Sequence, residues 1–162
     1  MSKTPTRPQQ AYQTALVQMP LMMVREGPKT ILKAPADIAR ECADLKGLAQ
    51  ESFHVITLNV RNGMINRHLI TLGLLSGSLA HPREVFRAAI LDSAAAVVLI
   101  HNHPSGDATP SAEDITLTRQ LIAAGQIIGI QVIDHVIIGR VSETDNKGYV
   151  SMREGGLCTF GG

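Results

Sequence analysis

A single α/β domain, with one mixed sheet flanked by helices, is predicted by three features of the sequence. Apolar stretches of strand length alternate with segments of helical period. The run 94–100 (AAAVVLI) is continuously apolar, as a strand covered on both faces would be. Asn62-Gly63 lies between two β-rich stretches and is a strong hairpin signal. With 162 residues the chain can bury one sizeable core and is short for two domains. It is 44% hydrophobic but has three Phe, two Tyr and no Trp, so the core must be aliphatic and few rings could stack on nucleic-acid bases. A net charge of +1 disfavours non-specific DNA coating.

Taken in order, residues 1–13 are polar and Pro-rich and read as a flexible tail. Residues 15–24 are apolar and stop at Glu26-Gly27-Pro28, which predicts a strand ended by a turn. Pro35 marks a first helical turn, and Ile38, Cys42, Leu45 and Leu48 recur near helical spacing, predicting a helix over 36–50. Residues 51–59 and 64–71 are β-rich and should pair antiparallel across Asn62-Gly63. His81-Pro82-Arg83-Glu84 opens a helix whose apolar face is Val85, Phe86, Ala89 and Ile90, closed by Asp92-Ser93.

The buried strand over 94–100 then delivers the chain to His101. Ser111 and Asp114 have capping-box spacing, and Ile115, Leu117, Leu121 and Ile122 carry a helix to Gly125 or Gly129. Residues 130–138 return to β character and stop at Gly139; 142–148 form a polar turn, 149–153 a short last strand, and 155–162 a frayed tail. The expected domain therefore spans 14–154. Cys42 and Cys158 are too few and too far apart for a disulfide framework or a cysteine-rich zinc site and read as reduced thiols. No stretch approaches the ~20 apolar residues of a membrane span, and the N-terminus lacks a signal-peptide core, so a cytoplasmic protein without a membrane partner is expected.

The informative stretch is His101-Asn-His-Pro-Ser-Gly-Asp-Ala-Thr-Pro-Ser-Ala-Glu-Asp114. Side chains two apart on a strand point the same way, so His101 and His103 can face one ion, and the loop returning through Pro104, Gly106 and Pro110 can bring Asp114 to it. Two imidazoles and one carboxylate leave a fourth tetrahedral position open, the arrangement of a catalytic zinc, which lowers the pKa of its bound water to about 7. Taken singly, each residue has a plainer reading: His-x-His recurs by chance, Ser111 with Asp114 can be an N-cap pair, and Asp107 can be a turn residue.

The joint spacing, together with His81-Pro82-Arg83-Glu84-Val85-Phe86 and Asp134-His135-Val-Ile-Ile-Gly139 in the same order, resembles the JAMM (MPN/JAB) metalloproteins and specifically their RadC branch. The likeness covers roughly residues 20–155 and lacks the helix-hairpin-helix region of longer RadC proteins. It implies a JAMM/MPN-type, cytidine-deaminase-like fold. It also implies His101, His103 and Asp114 as Zn2+ ligands, Ser111 as the residue that hydrogen-bonds the tetrahedral intermediate, and an upstream glutamate as general base. Glu51, at the start of the strand after the first helix, is the best match; Glu84 and Glu113 sit in first helical turns, where the helix dipole already explains a carboxylate.

Asn102 stands where many eukaryotic members of the family carry Ser or Thr, and it should point away from the metal. His135, beside Asp134, reads either as an extra ligand or acid or, preferably, as a packed strand histidine, and His54, His68 and His81 have no partner identifiable from sequence. Two functions follow. One is a zinc-dependent hydrolase of peptide or isopeptide bonds with a peptide or protein substrate. The other is a non-catalytic module working with DNA or DNA-repair proteins. A nucleobase deaminase is disfavoured because the His-x-Glu and Pro-Cys-x-x-Cys signature is missing. Residues 70–80 are a candidate substrate-binding edge.

Overall fold

The computed structural model describes residues 30–73, 80–143 and 145–161. The tail expected over 1–13 and the strand expected over 15–24 lie outside these residues, as does most of the glycine-containing edge over 70–80. Helix α1 (Pro35–Glu41) and a 3-10 turn (Ala43–Gly47) lead to β1 (Ser52–Leu58) and β2 (Met64–Leu72). Helix α2 (Pro82–Leu91), β3 (Ala96–Asn102), α3 (Ala112–Ile128), β4 (Gln131–Ile138) and β5 (Tyr149–Ser151) follow. The strands form one mixed sheet in the order β2-β1-β3-β4-β5, in which only the β3–β4 pair is parallel. The predicted α/β class with a mixed sheet flanked by helices is what the chain adopts.

Pleating divides the sheet into two apolar faces. Phe53, Val55, Val97, Leu99 and Val132 pack under α2 and α3, while Ile56, Leu58, Val98, Ile100, Val136 and Ile138 pack under α1 and the 3-10 turn. Every residue of β1 and β3 is buried, as expected of central strands covered on both sides. The hairpin forms where Asn62-Gly63 predicts it: Asn62 takes a positive φ of 57°, and Asn59 Oδ1 accepts from the backbone N–H of Arg61 and Gly63, both at 2.9 Å. Gly129 ends α3 in the left-handed conformation that favours glycine, with φ of 80°.

Several elements differ from the sequence expectation. The helix expected over 36–50 breaks after Glu41, because Arg67 on β2 takes the Glu41 carbonyl at 3.2 Å and binds Asp44 with both terminal guanidinium nitrogens. The chain tightens into the 3-10 turn there; Ile38, Cys42 and Leu45 stay buried, but Leu48 is exposed. On α2 the inward face is Val85, Phe86, Ala88 and Ala89, and Ile90 faces outward. β3 starts at Ala96, two residues after the start of the apolar run. The segment after Gly155 is no frayed tail through residue 161: Leu157, Cys158 and Phe160 pack onto the domain, and the Leu157 N–H donates to Met152 at 3.0 Å.

Asp92 ends α2 as expected, yet it also ties the helix to the sheet. Its carboxylate accepts from the Thr57 hydroxyl at 2.6 Å, contacts His68 Nε2 at 2.6 Å and accepts from Asn66 Nδ2 at 3.0 Å. Burial pushes this carboxyl up, but the hydrogen bonds outweigh it and hold the group below the ordinary aspartate range. Because the folded value is the lower one, the stabilisation is complete above about pH 4 and is lost as pH falls through the folded value. Asp92→Ala is expected to cost about 1–3 kcal/mol at neutral pH, read from chemical denaturation, and to flatten the acid limb of the stability curve.

Candidate metal centre

Strand and helix periodicity aim three side chains at one point. On β3, alternation turns His101 to the same side as Val97 and Leu99, toward α3, and turns Asn102 to the opposite side. On α3 the buried stripe is Asp114, Leu117, Thr118, Leu121, Ile122 and Gly125, a helical repeat that carries the Asp114 carboxylate inward. Ser111 is the N-cap: its Oγ accepts from the Asp114 N–H at 3.1 Å, and the Ser111 N–H donates to Asp114 Oδ2 at 2.8 Å.

His103 lies just past β3, where its N–H donates to the Ile138 carbonyl at 3.0 Å and extends the pairing with β4. The loop after it is pinned to the end of β4, the Arg140 N–H donating to the Gly106 carbonyl at 2.8 Å. Gly139 permits that approach, since a Cβ there would sit 2.3 Å from the Gly106 oxygen. Gly139→Ala must therefore displace the His103 loop. It is expected to weaken metal binding at least about tenfold in a chelator-competition titration while the sheet is retained.

Glu51 immediately precedes β1 and is held from both sides by Asn102. The Asn102 Oδ1 accepts from the Ser52 N–H at 2.9 Å and the Ser52 hydroxyl at 2.7 Å, and its Nδ2 donates to the Gln50 carbonyl at 3.0 Å. The residue between the two histidines thus points away from the cluster, as expected, yet fixes the backbone that carries Glu51.

Among the described residues, Glu51, His101, His103 and Asp114 form a group whose ligand atoms all lie within 4.8 Å of one another. His101 Nε2 is 3.0 Å from His103 Nε2, 3.2 Å from Asp114 Oδ1 and 4.0 Å from Glu51 Oε1, and His103 Nε2 is 3.3 Å from Asp114 Oδ2. His103 Nδ1 lies 2.7 Å from the Asp107 carbonyl, an atom that can only accept, so the proton is on Nδ1 and the neutral ring presents a lone pair at Nε2. Two imidazole nitrogens and two carboxylates converging on one point are a donor set that fits a divalent metal.

The local electrostatics agree. Burial would raise Asp114, but its contacts with His101 and His103 more than offset that and hold the carboxyl well below the usual range. The Asp114 carboxylate in turn raises His103. Full burial keeps His135 well below the usual histidine range, so it is neutral.

The structure thus brings together all four residues expected at the metal, with Ser111 beside them as the cap of α3. The rival glutamates lie elsewhere: Glu84 caps α2 by accepting from the His81 N–H at 3.3 Å, and Glu113 is exposed on the first turn of α3. The other histidines have structural partners, His54 with the Ser52 hydroxyl, His68 with Asp92, and His81 as the cap of α2. Two residues passed over as site members stand behind His101. His135 Nε2 is 2.8 Å from His101 Nδ1, and Thr118 Oγ1 is 2.6 Å from His135 Nδ1. The signals for them in the sequence are the Asp134-His135 stretch that carries part of the resemblance and the helical repeat that puts Thr118 one turn from Asp114. A cleft of about 770 Å³ lies beside the metal loop, lined by residues 105–109 with Arg140, Asp145 and Val150.

A mixed α/β sheet with a His-x-His strand end, a helix-borne aspartate and a glutamate at the start of the neighbouring strand marks a JAB-type domain with a candidate metal site. The chain belongs to the family described as the RadC-like JAB domain, whose model matches residues 32–157. It is similar to a UPF0758 protein of Desulforamulus reducens, 48% identical over 130 residues, covering 80% of this chain and 55% of that protein. It is also similar to one of Symbiobacterium thermophilum, 53% identical over 112 residues, covering 69% and 45%. A third, from Caldanaerobacter subterraneus, is 44% identical over 141 residues, covering 86% and 58%. The chain thus spans about half the length of these relatives. No helix among the described residues is long and apolar enough to cross a membrane.

Proposed function

We propose that the chain is a zinc-dependent hydrolase of amide bonds, acting on a peptide or isopeptide linkage in a protein substrate. The observation that carries this reading is the convergence of His101, His103, Asp114 and Glu51, with Glu51 the outermost acid, 31% exposed and 4.0 Å from His101 Nε2. Two imidazole nitrogens and one carboxylate are the donor set of hydrolytic zinc sites that keep a position open. Zinc held by His101, His103 and Asp114 would polarise the substrate carbonyl and bring the pKa of water at the open position to about 7.

Glu51 takes the proton of the attacking water and delivers it to the leaving amine. The capping bond of Ser111 uses an oxygen lone pair, so its hydroxyl proton is available to donate to the oxyanion as the carbonyl carbon becomes tetrahedral. Asn102 keeps Glu51 in reach through the backbone on both sides of it. The free thiols Cys42 and Cys158 fit a reducing, cytoplasmic setting.

The test is cleavage by the zinc-loaded chain of a quenched-fluorescent peptide library and of a reporter joined through a lysine isopeptide bond. Turnover that stops with a chelator and returns with added zinc is expected. A fully loaded chain that cleaves neither substrate would contradict the hydrolase reading and favour the non-catalytic module with DNA-associated partners.

A further inference from the structure

The chain His101–His135–Thr118 has a proton order that can be worked out atom by atom. Thr118 Oγ1 lies 2.6 Å from the Asp114 backbone carbonyl and 2.6 Å from His135 Nδ1. Oxygen and nitrogen atoms approach that closely only with a proton between them. The carbonyl has none to give, so the single hydroxyl proton of Thr118 goes to Asp114, the usual bond from a helical threonine to the carbonyl one turn back. The proton between Thr118 and His135 must then be the one on His135 Nδ1.

His135 is fully buried and its ring nitrogens meet only His101 and Thr118, with no carboxylate bonded to the ring; an uncompensated imidazolium there would be costly, so the ring is neutral and its Nε2 is bare. The 2.8 Å contact between His135 Nε2 and His101 Nδ1 is therefore filled by a proton on His101 Nδ1. The lone pair of the neutral His101 ring is then on Nε2, the atom that faces His103 and Asp114.

We infer that His135 and Thr118 are positioning residues that hold His101 as the Nδ1–H tautomer and so present its Nε2 lone pair to the metal. The inference deepens the metal reading and rests on it for its purpose. Two further contacts lock the ring plane: Phe53 stacks on His101 with centroids 6.0 Å apart and meets His135 edge-on at 5.5 Å. The same threonine anchors the backbone of Asp114, so one hydroxyl orders two ligands, one through a carbonyl and the other through an imidazole.

The test combines proton-detected nitrogen spectra of the histidine rings with zinc affinity by competition against a chromophoric chelator, on the native chain, Thr118→Val and Thr118→Ser. In the native chain His135 is expected to be protonated at Nδ1 and bare at Nε2, with His101 protonated at Nδ1. Thr118→Val, which keeps the shape and removes the acceptor, should lower zinc affinity about 10–100-fold, and Thr118→Ser should restore it. His135 protonated at Nε2 in the native chain would overturn the inference, as would native zinc affinity in Thr118→Val. The ring spectra need neither zinc nor the variants: a native chain that takes up no zinc but shows the expected tautomers defeats the metal reading and not the proton order. A Thr118→Val chain that does not fold leaves those native spectra to decide.

Discussion

Glu51→Gln is expected to keep its zinc and to lose about two to four orders of magnitude in kcat on whichever amide substrate the native chain cleaves. The substitution preserves size and leaves untouched the Asn102 contacts, which involve the backbone of Gln50 and Ser52 and not the Glu51 side chain. What it removes is the only basic site of the side chain, so the proton of the attacking water has nowhere to go. Loss of zinc in this variant would instead make Glu51 a ligand, and unchanged kcat would remove it from the mechanism. Asn102→Ala should show a milder form of the same defect, because it frees the backbone around Glu51 without touching the carboxylate. A drop in kcat with zinc affinity near native would separate this from a general loss of structure.

His103→Ala is expected to reduce bound zinc from about one ion per chain to a trace while leaving the fold intact, measured by plasma mass spectrometry and thermal melting. His103 is partly exposed and belongs to none of the hydrophobic clusters, so its ring contributes little to the core. Asp114→Asn should give the same metal loss, since an amide is a poor zinc ligand beside two imidazoles. Its carbonyl can still accept from the Ser111 N–H, so the start of α3 should survive. His101→Ala is a less clean test: that ring is fully buried and stacked on Phe53, and its removal opens a cavity as well as the site.

Features set by local chemistry were legible in the sequence. Asn62-Gly63 is a turn because of its own backbone preferences, and α2 and α3 start where His81-Pro82 and Ser111 cap them. The apolar run before His101 is a central strand because it has no polar side to expose. The candidate metal residues were legible for a related reason, since His101, His103 and Asp114 lie on one strand end, one loop and one helix start that a single stretch of 14 residues contains. Glu51 came by resemblance, and its place beside them depends on β1 pairing with β3, Phe53 opposite His101.

What escaped the sequence depends on distant contacts. The break in the first helix follows from Arg67, more than twenty residues away, taking the Glu41 carbonyl. The clamp of Asn102 on the flanks of Glu51 spans about fifty residues. His135 reads as a core histidine by composition and burial, and its contact with His101 exists only because β3 and β4 run parallel with Leu99 opposite His135. Residues 157–160 lie in a short glycine-flanked stretch that reads as a frayed tail in isolation and become part of the core only once α3 offers them a surface.

The most direct test of the central claim is an anomalous difference map collected at the zinc absorption edge from crystals of the zinc-loaded chain. The expected result is one peak at about 2.0–2.2 Å from His101 Nε2, His103 Nε2 and an Asp114 carboxylate oxygen. A map with no peak among these atoms, or with zinc bound only elsewhere, would contradict the account.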